Sequence, residues 1–111
     1  MNTPLSIDLD DLVIAPDTWE PFRDGIEVHW FYRNGEDGSS AALLKYAPGA
    51  SVPRHTHVGF EHILVLQGVQ KDENGIHPAG ELTINPPGSA HSVTSASGCI
   101  VYAVWEHPVA F

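Results

Sequence analysis

The fold of this chain is decided by residues 49–68, which read GASVPRHTHVGFEHILVLQG. This stretch carries His55 and His57 two positions apart, and Glu61 follows four positions later. Because successive side chains of an extended strand point to opposite faces, His55 and His57 are predicted to project from the same face. Glu61 has the same parity, although residues 58–60 can turn the chain before it. Two imidazoles and one carboxylate that converge on a point are a set of metal ligands.

His91 is a candidate fourth ligand, because it follows the turn sequence PPGSA at residues 86–90 on another predicted strand. Three imidazoles and one carboxylate leave coordination positions open for water, dioxygen or a chelating ligand. We expect one divalent transition-metal ion. The ligand types alone leave zinc, iron, manganese, nickel and copper open, and zinc is our first expectation. A divalent ion beside an ionised Glu61 leaves a net positive charge, which favours an anionic or enolate-forming small-molecule ligand.

Short apolar segments, separated by Gly, Pro and Asn-Gly turns, make up most of the remaining chain. These segments are too short and too often interrupted to show the 3.6-residue period of a helix. Strands are predicted at residues 26–32, 41–47, 63–66, 69–71, 76–77, 81–85, 91–93 and 99–105. Regularly spaced short strands are typical of an all-β sandwich or barrel.

Residues 1–18 are predicted to form an extended N-terminal arm ahead of a single domain at residues 19–111. Apolar residues occupy alternate positions of this arm from Leu5 to Leu9, which is a strand-like pattern. We expect residues 4–15 to pair with the sheet edge of a second copy and so to form a homodimer.

The charge of the chain excludes several classes of partner. Its 111 residues include 14 acidic and five basic side chains, for a formal net charge of −9. Binding to nucleic acid or to an anionic membrane surface depends on lysine and arginine, so neither partner is expected. No apolar run approaches the ~20 residues of a membrane span, and the acidic N-terminus lacks the basic residues of a signal peptide. The one cysteine, Cys99, excludes an internal disulfide and fits a reducing cytoplasm.

The histidine stretch and the residues that follow it resemble the two sequence motifs of the cupins. The first motif, G-x5-H-x-H-x3-E-x6-G, is matched in full by residues 49–68. The second, G-x5-P-x-G-x2-H-x3-N, is matched by residues 80–95, except that Ser95 replaces the asparagine. The resemblance implies a double-stranded β-helix, which is a jelly-roll barrel with one metal ion inside. The ligands that it implies are His55, His57, Glu61 and His91. The alternative is a metal-free cupin in which the same side chains are satisfied by hydrogen bonds.

A narrower resemblance, over residues 19–106, is to the ChrR-type cupins. It is carried by EHILVLQG at 61–68, DENG at 72–75, NPPGSAH at 85–91 and GC at 98–99. Cupins of this type form the C-terminal domain of zinc-dependent anti-sigma factors and also occur as free-standing proteins. The helical sigma-binding domain with its own zinc ligands lies outside the resemblance, so sigma-factor inhibition is not carried over.

Two functions are compatible with these residues. The first is a metal-dependent ligand-binding or sensing module, which the ChrR resemblance favours. The second is a metal-dependent dioxygenase of a small dicarbonyl or hydroxyketone, which a complete ligand set with open coordination positions favours. Beyond Glu61 no general acid or base stands out, so no catalytic residue is predicted.

The other reactive side chains are interpreted as structural. His62 follows Glu61 on a strand and is expected to face solvent from the opposite side. Cys99 is expected to be a small buried residue at the start of the last strand. Ser89 and His91 lie two positions apart, but no third orienting group accompanies them, so a nucleophile–base pair is not expected. The same structural interpretation applies to His29, His77 and His107.

Overall fold

The computed structural model describes residues 2–111, which form one short helix and nine strands. The helix, α1, spans Leu9–Ile14. The strands are β1 Glu20–Arg23, β2 Ile26–Arg33, β3 Ser40–Tyr46, β4 Ala50–Thr56, β5 Glu61–Asp72, β6 Gly75–Pro78, β7 Leu82–Asn85, β8 Ala90–Ser95 and β9 Cys99–Trp105. Each predicted strand is present, and the segments predicted at 63–66 and 69–71 join to form the 12-residue β5. The strands β1 and β4 are additions to the predicted ranges, and β4 supplies the extended backbone that the parity of His55 and His57 assumed.

The strands pair antiparallel and curl into a barrel. Their order is β1-β2-β3-β9-β5-β8-β4, and β6 and β7 also pair with β5. The long strand β5 connects the two halves of the barrel, since its first part pairs with β7 and β9 and its second part with β6 and β8. This architecture confirms the predicted all-β fold class.

The bend in β5 depends on the glycine at position 68. Gly68 has a φ of +76°, and a Cβ at this position would lie 2.2 Å from the carbonyl oxygen of Gly98. Only glycine satisfies both constraints without strain. The register with β9 also shifts between Val65 and Gln67, and a bulge of this kind bends and twists a strand. The glycine of the cupin motif therefore lets β5 leave one half of the barrel and enter the other.

An apolar core fills the barrel beside the histidines. Val28, Val65 and Val101 are each at most 1% exposed, and burying a valine side chain stabilises a protein by about 1.5 kcal/mol or more. Trp105 also belongs to this core, but its indole N–H reaches the Glu61 carboxylate. The core thus fixes the relative position of β5 and β9, the strands that carry Glu61 and Trp105.

The N-terminal segment differs from the predicted extended arm, because residues 9–14 form the helix α1. Asp8 caps this helix: its carboxylate accepts two backbone N–H groups of the first turn at 3.1 and 3.3 Å, a role that aspartate favours. The indole N–H of Trp19 donates to the carbonyl oxygen of Val13 at 3.4 Å and ties the helix to the chain that follows. These contacts outweigh the alternating pattern of residues 5–9. Within residues 2–111, no helix is long and apolar enough to cross a bilayer.

Candidate metal centre

The predicted histidine ligands are brought together by the pairing of β4 with β8. His55 on β4 lies directly opposite His91 on β8 in the register of this pair. His57 follows the end of β4, and its backbone N–H donates to the carbonyl oxygen of Ser89 at 2.8 Å. The N–H of Gly88 in turn donates to the carbonyl oxygen of His57 at 2.8 Å. The turn at residues 86–89 is thus clamped against His57, and it delivers His91 to the same place.

The three imidazoles form a buried cluster. One ring nitrogen from each of His55, His57 and His91 lies within 4.8 Å of the other two. The ring centres are 4.7–5.2 Å apart, and the three residues are 6%, 1% and 4% exposed. Imidazole nitrogens gathered in this way are suited to a shared transition-metal ion.

Hydrogen bonds at Nδ1, the outer nitrogen of each ring, orient Nε2, the inner nitrogen. The Nδ1 of His55 lies 2.9 Å from the carbonyl oxygen of Pro53, and the Nδ1 of His57 lies 3.1 Å from that of Ser89. The Nδ1 of His91 lies 2.9 Å from a carboxylate oxygen of Asp72. Because carbonyl and carboxylate oxygens only accept, each Nδ1 carries a hydrogen, and in a neutral ring Nε2 then keeps its lone pair. This is the tautomer in which metal-ligating histidines are held.

The inner nitrogen of His57 shows that the cluster fits a cation. The buried Nε2 of His57 makes no hydrogen bond, although it lies 3.0 Å from Oε1 of Glu61. In the tautomer set by Ser89 both of these atoms are acceptors, so they repel each other unless a proton or a cation is shared between them. A divalent ion that accepts a lone pair from each of these atoms would remove this repulsion.

Glu61 lies beside two of the three imidazoles. Its Oε1 is 3.0 Å from Nε2 of His57 and 3.9 Å from Nε2 of His91. The same oxygen accepts a hydrogen bond from the Asn85 amide at 3.0 Å, and Oε2 accepts one from the Trp105 indole N–H at 2.6 Å. Carboxylates that bind metals are commonly held by such outer donors. The close cluster consists of the three histidines, and Glu61 stands at its edge on the side of His57 and His91.

The protonation states of Glu61 and His55 favour metal binding. Burial raises the pKa of Glu61, but a proton shared with the adjacent His57 and the indole N–H of Trp105 outweigh burial, and the net pKa is lowered. Burial lowers the pKa of His55, as do the nearby rings of His91 and His57, against the opposing hydrogen bond to Pro53. An ionised carboxylate and a neutral imidazole are the forms that bind a metal ion.

A series of hydrogen-bonded side chains supports His91 at its outer nitrogen, and the sequence did not predict this series. Its members are Asp72, His77 and Glu81. One carboxylate oxygen of Asp72 accepts from His91, and the other lies 2.8 Å from Nε2 of His77. The Nδ1 of His77 contacts the carboxylate of Glu81. Asp72 and His77 lie on either side of the Asn74-Gly75 turn that joins β5 to β6, and this Asn-Gly turn is the one signal of their proximity in the sequence. His77 is therefore structural, as expected, but it acts through Asp72 on a predicted metal ligand.

A small cavity opens beside the cluster. It has a volume of about 60 Å³, and His55, Glu61 and His91 contribute to its wall. Its other polar neighbours are Arg23, Tyr46 and Gln70. Burial raises the pKa of Tyr46 above its usual value, with further contributions from Cys99 and Glu61, so the phenol stays protonated. The cavity thus offers a neutral hydroxyl and a guanidinium next to the imidazoles.

The remaining histidines and Cys99 behave as structural residues. His62 is exposed, and Cys99 is 5% exposed with a thiol pKa raised by burial, as predicted for both. His29 and His107 each hydrogen-bond a backbone carbonyl oxygen. The hydroxyl of Ser89 pairs with Nδ1 of His57 and with the carbonyl of Pro86, not with His91.

Comparison with known proteins identifies relatives of this chain. A family model for the ChrR cupin-like domain matches residues 10–110. The anti-sigma-E factor ChrR of Cereibacter sphaeroides is 36% identical over 95 residues, which cover 84% of this chain and 44% of that protein. This chain therefore spans less than half the length of that relative.

Solved structures share the fold. An acetylacetone dioxygenase from Acinetobacter johnsonii superposes with a TM-score of 0.81 at 16% identity, over 98% of this chain and 78% of that one. A complex of Rhodobacter sphaeroides SigE with the anti-sigma factor ChrR gives a TM-score of 0.72 at 29% identity, over 86% of this chain and 54% of that one. These likenesses confirm the predicted jelly-roll barrel.

Proposed function

This chain belongs to the ChrR cupin-like domain family, and from that premise we propose that it is a metal-dependent ligand-binding or sensing module. One divalent transition-metal ion would be held by His55, His57, His91 and Glu61. The observation that carries the proposal is the inner nitrogen of His57, which is buried, lacks a hydrogen bond and lies 3.0 Å from a carboxylate oxygen of Glu61. Zinc is the ion we favour, and iron, manganese, nickel and copper are compatible with the same ligands.

Thermal unfolding of the chelator-treated protein tests the proposal. An ion that binds the folded state and not the unfolded state raises the melting temperature by mass action. We expect zinc, or another of the five ions, to raise it and excess chelator to reverse the rise. If none of the five ions shifts the melting temperature, the metal site is wrong.

A dioxygenase acting on a small dicarbonyl or hydroxyketone is the second candidate. The observation that favours it is the 60 Å³ cavity against His55, Glu61 and His91, where a small substrate fits beside the metal ligands. Iron bound there would supply dioxygen chemistry. The chain's own residues would orient the substrate through the Tyr46 hydroxyl and exclude water with the apolar wall of the barrel.

The state of Glu61 favours the sensing module over the enzyme. Asn85 and Trp105 both donate to its carboxylate, so fewer of its lone pairs are free to take a proton from a carbon acid. Oxygen uptake by the iron-loaded protein with a dicarbonyl substrate would support the enzyme. Absence of turnover across the five metals and a panel of such substrates would leave the binding module.

The proposal also concerns partners and location. We propose that the ligand is a small anion, that the protein is cytoplasmic, and that it forms a homodimer through residues 4–15. This contact would use apolar side chains and not the strand pairing expected from the sequence, because residues 9–14 form α1. In the folded chain Leu5 and Ile7 of this segment are exposed by 74% and 43%, which leaves apolar surface for a second copy. Sedimentation of the full chain is expected to show a dimer, and a strictly monomeric profile would contradict this part of the proposal.

A further inference from the structure

Arg23 is aimed at the metal-side cavity by an irregularity in β1. The register of β1 with β2 shifts between Pro21 and Arg23. On a regular strand Phe22 and Arg23 would point to opposite faces, but both line the cavity beside the imidazoles. Bulges of this kind often re-aim side chains next to functional sites. The bulge therefore places Arg23 in the wall of the cavity, where the regular alternation of a strand would not place it.

The guanidinium of Arg23 has an aromatic neighbour but no carboxylate. Its central carbon lies 4.5 Å from the ring centre of Phe111, and that ring lies 5.4 Å from the ring of His55. No ion pair joins Arg23 to a carboxylate in the described part of the chain. In a chain with a net charge of −9, an arginine at a cavity without an acidic partner is an available anion-binding group.

The carboxylates nearest the cavity are occupied by partners other than Arg23. The other charged group that faces the cavity is Glu61, which already accepts hydrogen bonds from Asn85 and Trp105. Asp72 stands behind His91 and outside the cavity wall, and it is occupied by His91 and His77. An anion that enters the cavity would therefore meet a guanidinium rather than a repelling carboxylate on the Arg23 side.

From this geometry we propose that Arg23 anchors the carboxylate of a small ligand in the cavity beside the imidazole cluster. This inference rests on the proposed ligand-binding function and names its ligand class, a small carboxylate with a short apolar body. A planar guanidinium matches the two oxygens of a carboxylate, and stacking on Phe111 holds it in place. The volume of about 60 Å³ limits the enclosed part of the ligand to a few non-hydrogen atoms. The apolar body lies against Val52, Ile63 and Val93 of the same wall.

Calorimetric titration of butyrate into the metal-loaded full chain tests the proposal. Arg23→Met keeps the apolar stem against Phe111 and removes the charge, and we expect it to weaken butyrate binding by about 10- to 100-fold. Arg54→Met is the matched control, because Arg54 is exposed and its nearest carboxylate, that of Glu73, is 4.0 Å away. It removes the same charge and is expected to bind butyrate like the wild type. Arg23→Lys, which retains the charge without the fork of donors, is expected to fall between.

Three results would overturn the proposal: no butyrate binding by the wild type, wild-type affinity in Arg23→Met, or equal affinity for the neutral isostere butyramide. The metal content of each sample separates this inference from the proposed function. If the wild type holds metal and Arg23→Met binds butyrate unchanged, only the role of Arg23 fails. If the wild type holds no metal, the proposed metal site fails, and the butyrate titration still decides whether Arg23 binds the carboxylate.

Discussion

Replacing Asp72 by asparagine is expected to weaken metal binding, although Asp72 is not itself a predicted ligand. Its carboxylate accepts from Nδ1 of His91 at 2.9 Å, and its side chain is only 4% exposed. The carboxylate fixes the His91 ring with its Nε2 inward and increases the basicity of that nitrogen. Asparagine keeps the shape and one acceptor oxygen but loses the charge.

The size of the effect follows from the single bond that changes. A hydrogen bond to a charged group contributes about 1.5–3 kcal/mol and a neutral one about 0.5–1.5 kcal/mol. The difference between these two contributions is about 1–1.5 kcal/mol, and a loss of this size in metal binding corresponds to a roughly tenfold weaker Kd for the ion. Asp72→Ala, which removes the acceptor altogether, is expected to reach the upper part of the 10–100-fold range known for outer-shell partners of metal ligands.

Competition with a fluorescent zinc chelator at neutral pH measures these dissociation constants. Asp37→Asn is the matched control, since Asp37 is an exposed loop residue and the substitution changes the net charge equally. The control is expected to bind zinc like the wild type. An unchanged Kd in both Asp72→Asn and Asp72→Ala would refute the claim that Asp72 orients a ligand.

Three further predictions test the fold around the site. Burial lowers the pKa of His77, but the carboxylates of Glu81 and Asp72 outweigh burial, and the net pKa is raised. The charged imidazole therefore stabilises the folded state fully below about pH 6.5, and this contribution is lost as the pH rises through the raised pKa. His77→Gln should cost more unfolding free energy at pH 6 than at pH 9 in urea titrations of the chelator-treated protein, and an equal cost would contradict this. Gly68→Ala places a Cβ 2.2 Å from the Gly98 carbonyl oxygen at a φ of +76°, so soluble expression or the melting temperature should fall sharply, whereas a wild-type melting curve would show that β5 does not need its glycine. Val101→Ala at 0% exposure should cost about 2–3 kcal/mol in urea unfolding, and Ile76→Ala at 65% exposure should cost far less; similar costs at the two positions would place the core elsewhere.

The histidine cluster could be predicted from the sequence because its information is local. Strand parity places His55 and His57 on one face, and the turn at residues 86–90 returns the chain to His91 directly across from His55. The motif also places a glycine at position 68, where a Cβ would lie 2.2 Å from the carbonyl oxygen of Gly98. The all-β class follows from short apolar segments between turns, so it too is visible without a structure.

The surroundings of the cluster could not be predicted, because they depend on register and on irregular backbone. Asn85 and Trp105 flank Glu61 through the pairing of β7 and β9 with β5, over sequence separations that no local pattern encodes. Arg23 faces the cavity only because of a bulge in a strand too short to predict. The helix at residues 9–14 was missed because one capping carboxylate, that of Asp8, outweighed a strand-like alternation.

The central claim is that three imidazoles and the adjoining carboxylate hold one metal ion. Elemental analysis of protein purified without chelators or metal-affinity columns tests it most directly. We expect about one ion per chain in the wild type and in His62→Ala, because His62 is exposed although it follows Glu61 in the sequence. His57→Ala and His91→Ala are expected to lose most of it, because each removes a nitrogen of the buried cluster. Stoichiometric metal in both of these variants would contradict the account.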